Sequence, residues 1–498
     1  MPDDGRSSTT ADVAVVGAGP NGLAAAVTLA RAGLRVDVLE RNAWAGGGAS
    51  TREITVPGYR HDLASAVHPM ALASSFFREF RLDERIDLLV PELSFGHPLP
   101  DGRVGLGWRD LDRTADGLGA DGPAYRRLLA PLLRHLDAIN AFTTASLLGV
   151  PRHPWAALLY GVRALEQGTP AWNIRFRDEV APALITGTAG HVIGRHPRLS
   201  IAGGGLALTI NAHGQGWPVP RGGSQAITDA LVDDLTAHDG RVLLGQEVTS
   251  PDDLAGYGTV LLDVSVRTFD GIYGERLPQR YRTALRGFRH GNGASKVDFA
   301  LSGPVPWTSA ELRQAPTIHL GGTRAQIAAS ERSVAHGRFP ANPYVLVTQP
   351  SVIDPTRAPE GGAVLWAYSH VPYGSPVDMT EAITAAVERY APGFRDLIVA
   401  STATPASRLD TVSPNFAGGD FATGAVTMRQ MVRRPVLSPR PWRTPLEGVY
   451  LASSATTPGP SVHGLAGWYA ARLALSDRFG LDAPDLAPRR PVDRGARA

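Results

Sequence analysis

The sequence predicts an α/β fold in which a parallel-sheet domain is interleaved with a mixed α+β domain. Three observations carry this expectation. Residues 12–40 run strand, glycine loop, helix and strand within one short stretch. Valine- and leucine-rich runs at 242–244, 259–263 and 449–452 resume strand character after long insertions. A length of 498 residues exceeds what one hydrophobic core usually organises, which fits two joined domains.

Asp12-Val-Ala-Val-Val16 is short, valine-rich and followed by a glycine loop, the pattern of a strand buried in a parallel sheet. Residues 23–32 are helical in character, Gly33 stops them, and 34–40 reads as the next strand, completing a βαβ unit. From about 76 to 204 the pattern lengthens to helical spacing with Gly/Pro-rich connections, which predicts a helical cap over a substrate region. Residues 226–237 form an amphipathic helix. The stretches 295–301, 344–348 and 363–368 alternate as strands and 380–390 is helical, so 291–430 builds a second, mostly β layer. Strand 449–452 leads through a Gly/Pro/Ser loop into a helix over about 463–477. Beyond Gly480, Pro, Asp and Arg dominate and predict a flexible tail, 481–498.

Composition removes several function classes. Hydrophobic residues at 43% and charged residues at 19% suit a chain with a large core and exclude general disorder. A formal charge of +2, from 49 basic and 47 acidic side chains, makes no polyelectrolyte surface, so nucleic acid is not an expected partner. The absence of cysteine excludes disulfides, thiolate metal sites, cysteine nucleophiles and a cysteine-linked cofactor. The apolar stretch 13–30 is rejected as a signal or membrane span. Met1-Pro-Asp-Asp-Gly-Arg before it is acidic, and the glycines at 17, 19 and 22 would break a spanning helix, so a cytoplasmic protein is expected.

Gly17-x-Gly19-x-x-Gly22, with Pro20 and Asn21 inside it, sits between a strand and a helix. In that context the first glycine permits the tight turn, the second admits a pyrophosphate to the backbone, and the third lets helix pack on strand. The helix N-terminus then faces the anion. Glu40 lies 18 residues beyond Gly22, at the end of the second strand, close to the spacing expected of an acid that accepts ribose hydroxyls. Its charge repels a 2′-phosphate and so disfavours NADP, which leaves FAD and NAD. A second cluster, Gly46-Gly47-Gly48, follows Glu40-Arg41, and a nicotinamide-only site has no need of it. No further ligand at a suggestive spacing accompanies His61, Asp62 and His68, so no metal is expected and capping or core roles fit them.

Glu40-Arg41 followed by Gly46-Gly47 resembles the extended glycine motif of the two-dinucleotide-binding flavoproteins, the group of flavin amine oxidases and phytoene desaturases. Gly216-x-Pro218-x-Pro220-Arg221-Gly222-Gly223 resembles that group's proline-glycine loop, which implies that Arg221, Gly222 and Gly223 sit near the substrate cavity. Glu388-Arg-Tyr-Ala-Pro-Gly393 and Asn415-x-x-Gly418-Gly-Asp420 look like the phytoene-desaturase-related branch. The stretch 448–464 resembles the closing flavin motif, implying contacts from Ser454 and Val462, although Ser453-Ser454 stands where the group usually has Gly-Asp. Val248 matches the position whose backbone contacts adenine, although the return from there to the sheet, Thr249 to Gly258, is shorter than the group's. The resemblance implies FAD held by a Rossmann-like domain over 10–75, 216–290 and 436–480, with a substrate domain over 76–215 and 291–435.

Lys296 is the single lysine among 49 basic residues. A lone lysine in an arginine-rich chain marks a site that suits a compact, pKa-adjustable ammonium rather than a planar guanidinium. Ser295-Lys296-Val-Asp298-Phe, with Trp307 beyond, resembles the amine-oxidase strand whose lysine holds a water near flavin N5. That implies a catalytic role at the reacting face; the alternative is a salt bridge to Asp298. The expected activity is hydride transfer from a C–H bond of an apolar or secondary-metabolite substrate to flavin. Amine oxidation, NAD-linked dehydrogenation, redox-neutral isomerisation and non-catalytic binding of the GDP-dissociation-inhibitor type remain the alternatives. The expected partner is a small molecule, with transient membrane contact open for an apolar substrate although no amphipathic anchor is legible.

Overall fold

A computed structural model describes residues 11–488. The acidic lead and most of the expected tail, 1–10 and 489–498, lie outside the described residues. Short runs of β-branched and leucine side chains, buried except on the edge strand Arg241–Leu244, build a five-stranded parallel sheet. Its order is Val449–Leu451, Thr259–Leu262, Val13–Val16, Val36–Glu40 and Arg241–Leu244. Val13–Val16 is central and wholly buried, with Val13 in register with both Thr259 and Val36. The sheet therefore gathers strands from three separated parts of the chain.

Helix Pro20–Arg31 packs on this sheet between Gln225–Thr236 and the C-terminal helix Leu465–Ala474. It starts three residues before the apolar pattern does, because Pro20 occupies the first turn, where its missing N–H removes no helical bond. Glycine sets the spacing here. A Cβ on Gly22 would lie 2.0 Å from the Gly17 carbonyl oxygen, and one on Gly467 would lie 1.7 Å from that of Asn21. Only bare backbone lets the loop, its helix and the last helix close on one another.

The second sheet has seven strands, in the order Ile398–Thr404, Gly293–Leu301, Ala363–Val371, Val345–Thr348, Thr317–Leu320, Leu93–Pro98 and Val104–Trp108. It is antiparallel except where Leu93–Pro98 runs parallel to Thr317–Leu320. The last two strands correct the expectation of a helical cap throughout 76–204. Gly96 and Gly107 disguise them: a Cβ on the first would lie 2.2 Å from Leu312 Cδ2 and on the second 2.5 Å from Phe95 Cζ, so side-chain bulk is supplied by neighbours. Helices Gly122–Leu133, Pro154–Gln167, Val180–Ala189 and Leu199–Gly214 are the longest of the cap, joined by shorter ones such as Leu111–Gly117 and Leu136–Thr143.

Helix Pro154–Gln167 buries Ala156, Tyr160 and Ala164 while exposing Trp155, Leu158, Val162 and Leu165, a two-faced apolarity that hides its amphipathic spacing in the sequence. Among the described residues no helix is long and apolar enough to cross a membrane. The flexible-tail expectation is corrected over 481–488. Leu486 is buried in the core around helix Pro20–Arg31, and Arg31 donates to the Asp485 and Ala487 carbonyls at 3.1 and 2.8 Å.

Gly467→Ala should destabilise the protein by about 1–3 kcal/mol in urea unfolding, because its methyl meets backbone that no rotamer change can move. Trp155→Gln should stay within about 0.5 kcal/mol of the parent, since that ring is 66% exposed. A Gly467→Ala protein as stable as the parent would refute the tight helix crossing.

Candidate functional site

At the C-terminal ends of the parallel strands a cleft of about 690 Å³ runs from the glycine loop to the inner face of the helical cap. Open α/β sheets bind ligands in this location. Gly17, Gly19, Pro20, Asn21, Glu40, Arg41, Gly47, Gly48, Val248, Lys296, Ser454 and Val462 all line it. Gly22 and Gly46 do not. Gly22 serves the helix packing described above, and Gly46, at φ 124°, makes the turn after Glu40, where a Cβ would lie 2.5 Å from Ser50 Oγ.

Glu40 ends its strand beside this loop. Its Oε2 accepts the Ala18 N–H and its Oε1 the Asn42 N–H, both at 2.9 Å, so the carboxylate is fixed against the first glycine turn with lone pairs to spare. Arg41 donates to the Asp410 carbonyl at 2.7 Å. Val248 lines the cleft with Gln246 and Glu247, and Gln246 N donates to the Glu40 carbonyl at 2.8 Å. The short return from Val248 is a single 3-10 turn, Pro251–Leu254, closed by the Asp253 carboxylate on the N–H groups of Thr249 and Ser250.

Sequence reading missed Asp263. It follows Thr259–Leu262, the strand beside the glycine-loop strand, and its Oδ2 accepts the Gly22 N–H at 2.9 Å. A Cβ on Gly19 would meet that same oxygen at 2.8 Å. Burial pushes the carboxyl up to about 7, against the lowering effect of the Gly22 N–H. The available signal was an acid at the end of an expected strand, but only sheet order carries it across 241 positions to the loop. Ser454 Oγ, in place of the usual aspartate, accepts from Asn21 Nδ2 at 3.2 Å, while Ser453 Oγ donates to the Val264 carbonyl at 2.6 Å. Arg434, also missed, is fully buried behind this loop and donates to the Ser454 carbonyl at 2.7 Å.

Lys296 lines the cleft from the seven-stranded sheet and pairs with Asp298 two residues along the same face, so cavity position and ion pair coexist. Its ammonium stands 5.4 Å from the centre of the Trp366 ring. Burial lowers the Lys296 pKa, opposed by the Asp298 carboxylate, and burial pushes Asp298 up to about 6. Asp298 Oδ1 lies 3.6 Å from His61 Nδ1. Asp62 accepts from Arg357, Thr51 and the Ser224 N–H, and His68 Nε2 bonds Ser224 Oγ at 2.8 Å, so these three residues brace the cleft from behind.

The proline-glycine loop is a correction. Arg221, Gly222 and Gly223 do not line the cleft: Arg221 pairs with Asp87 at the surface, and Gly222 N donates to Asp354 at 2.7 Å. The loop acts one layer back through Ser224, which bonds the carbonyl of cleft-lining Ser65. In the Asn415–Asp420 segment, Asn415 and Phe416 line the cleft, and the Asn415 amide donates to the Asp263 carbonyl at 3.1 Å. Asp420 instead knots its own loop by accepting the Gly291 and Gly424 N–H groups. His463 caps the last helix: its Nδ1 accepts the Leu465 N–H at 3.0 Å and its Nε2 donates to the Gly459 carbonyl at 3.1 Å. Among the described residues no group of three or more His, Asp or Glu is placed to hold a metal.

These residues fit a dinucleotide. In the first turn of Pro20–Arg31, Pro20 has no N–H and Asp263 takes that of Gly22, which leaves the Asn21 N–H to face an anion. Gly47 and Gly19 face each other so closely that a Cβ on one would lie 3.3 Å from the Cα of the other, and the buried Asn21 Oδ1 has no protein partner among the described residues.

Comparison with known proteins agrees with this geometry. The family described as an NAD(P)-binding Rossmann-like domain matches residues 15–80. The chain is 25% identical over 546 residues to the rat pyridine nucleotide-disulfide oxidoreductase domain-containing protein 2, covering 94% of this chain and 93% of that protein. It is 25% identical to a Fusarium fujikuroi phytoene desaturase, covering 70% of this chain and 64% of the other. In fold it is similar to a redesigned putrescine oxidase, at TM-score 0.60 and 18% identity over 94% and 98% of the two chains. Cyclohexylamine oxidase from Brevibacterium oxydans gives TM-score 0.55 and 15% identity over 93% and 98%. Fold, cleft and relatives together fit an oxidoreductase with a flavin or other dinucleotide cofactor.

Asp263 makes stability pH-dependent in the flavin-free protein. Its folded pKa, about 7, lies above the ordinary 3.8. The folded state therefore keeps its proton while the unfolded chain loses it, and stability drains as pH rises from about 4 to about 7, by at most on the order of 4 kcal/mol. Urea unfolding at pH 5 and pH 8 should show this loss in the parent and a smaller one in Asp263→Asn. Equal slopes in both proteins would remove Asp263 as the cause.

Proposed function

We infer that the protein is an FAD-dependent dehydrogenase that takes hydride from a C–H bond of a neutral, largely apolar small molecule. The carrying observation is how the cleft divides its polarity. Glu40, Glu247 and Asp263, its lining acids among the described residues, stand at the glycine-loop end, whereas Phe142, Leu147, Tyr160, Leu208, Leu346 and Phe421 lead the remainder, where the polar lining carries no acid. A protonated amine would meet Lys296 there and no lining carboxylate, which favours carbon dehydrogenation over amine oxidation. The similarity to a phytoene desaturase supports the same choice.

FAD, when bound, supplies the hydride acceptor, chemistry that belongs to the cofactor. The chain's own residues bind, orient and dry the site. The glycine loop admits the pyrophosphate, and Glu40 accepts ribose hydroxyls with an oxygen already held in place. The apolar wall excludes water. Lys296, its ammonium destabilised by burial and held by Asp298, holds a proton or water at the reacting face.

The purified protein should be yellow, with flavin absorbance in the blue that bleaches when a suitable apolar substrate is added without oxygen; a colourless protein that takes up no FAD would overturn the reading. Lys296→Met should keep flavin bound while slowing turnover or reoxidation by roughly 10²-fold. Lys296→Arg should share the defect, because the planar guanidinium does not reproduce a compact ammonium. Unchanged kinetics in both variants would remove the role.

A further inference from the structure

The cavity wall holds one group that the reading above does not use. His191 follows helix Val180–Ala189, lines the cleft, and is clamped edge-on between Trp217 and His319, with ring centres 5.1 and 4.9 Å away. Its Nε2 lies 2.8 Å from His319 Nε2. Its Nδ1 has no protein partner among the described residues and is not sealed from solvent-sized contact, unlike the unpartnered Nδ1 atoms of His319 and His97.

The protons in this histidine row are set by its surroundings. Burial pushes His97 down to about 4 and His191 to about 3, and holds His319 well below the usual imidazole range, so all three rings are neutral and each carries one N–H. His97 donates from Nε2 to the Gly322 carbonyl at 2.7 Å. One proton lies between His191 Nε2 and His319 Nε2. Were His191 its donor, the single proton of His319 would sit on Nδ1. A Cβ on Gly187 would lie 2.9 Å from that atom, so bare helix backbone closes it in with no acceptor. Orphaned buried N–H groups are rare and costly. With His319 as donor instead, the His191 proton must be on Nδ1, toward the cavity.

We propose that His191 Nδ1–H is a substrate-binding donor, and that the substrate is an apolar molecule carrying a neutral acceptor oxygen, a carbonyl or hydroxyl, rather than a plain hydrocarbon. The assignment rests on the apolar-substrate reading above. His319 acts through His191 as a positioning residue, fixing its tautomer and ring plane.

The test uses the FAD-loaded protein and two probes of equal length, 2-undecanone and undecane, titrated while flavin absorbance and tryptophan fluorescence are followed. Failure to load FAD would count against the proposed function and not against this site. In the loaded parent, the ketone should bind about five- to tenfold more tightly than the alkane. His191→Leu should lose that preference while still binding undecane, and His191→Gln, which keeps an N–H donor, should restore part of it. His319→Phe should weaken the preference without touching either probe. Equal affinity for the two probes, failure of both to bind, or a preference that survives in His191→Leu overturns the assignment.

Discussion

The architecture depends on two backbone contacts that leave no room for a methyl group. Gly22 rests on the Gly17 carbonyl and Gly467 on that of Asn21, so the glycine loop is pressed between the first strand and the last helix. This crossing joins segments almost 450 residues apart. It also leaves the start of Pro20–Arg31 at the head of the cleft, and it brings Val462 and Ser454 to the same opening. A looser crossing would fill the core equally well but would separate the two ends of the dinucleotide site.

Behind the cleft, the chain commits several ionisable groups to low-dielectric surroundings. Asp62 and Arg357 are both buried, as are Lys296 and Asp298, and His61 lies between the two pairs. Breaking one partner of such a pair strands a charge, so they act together as a braced unit rather than as additive contacts. The brace links the small hairpin of Thr51–Arg52 and His61–Asp62 to Arg357 through Asp62 and to the seven-stranded sheet through His61 and Asp298. It thereby sets the distance between the glycine-loop end of the cleft and the wall that carries Lys296.

Much of the site was legible because its signals are local. A strand, three glycines at fixed spacing, a helix and an acid 18 residues on describe a nucleotide-binding crossover without reference to the rest of the chain. Lys296 stood out by being the single lysine. The missed groups share a different property. Asp263 and His191 are ordinary residues in ordinary runs, and each gains its role from a neighbour more than a hundred positions away. The hairpin Leu93–Pro98 and Val104–Trp108 was missed because its glycines are read as loop, when they are spaces filled by Leu312 and Phe95. Arg221 was misplaced because the motif around it builds the supporting layer and not the lining.

The sequence by itself determined the α/β class, the crossover unit, the exclusion of thiol chemistry and the acid that ends the second strand, since each is written in composition or in residues near one another in the chain. Tertiary structure alone decided that Asp263 meets the glycine loop, that Ser454 faces Asn21, and that one histidine proton points into the cavity. Those outcomes follow from strand order and burial, which change what a carboxyl or an imidazole does without changing its place in the sequence.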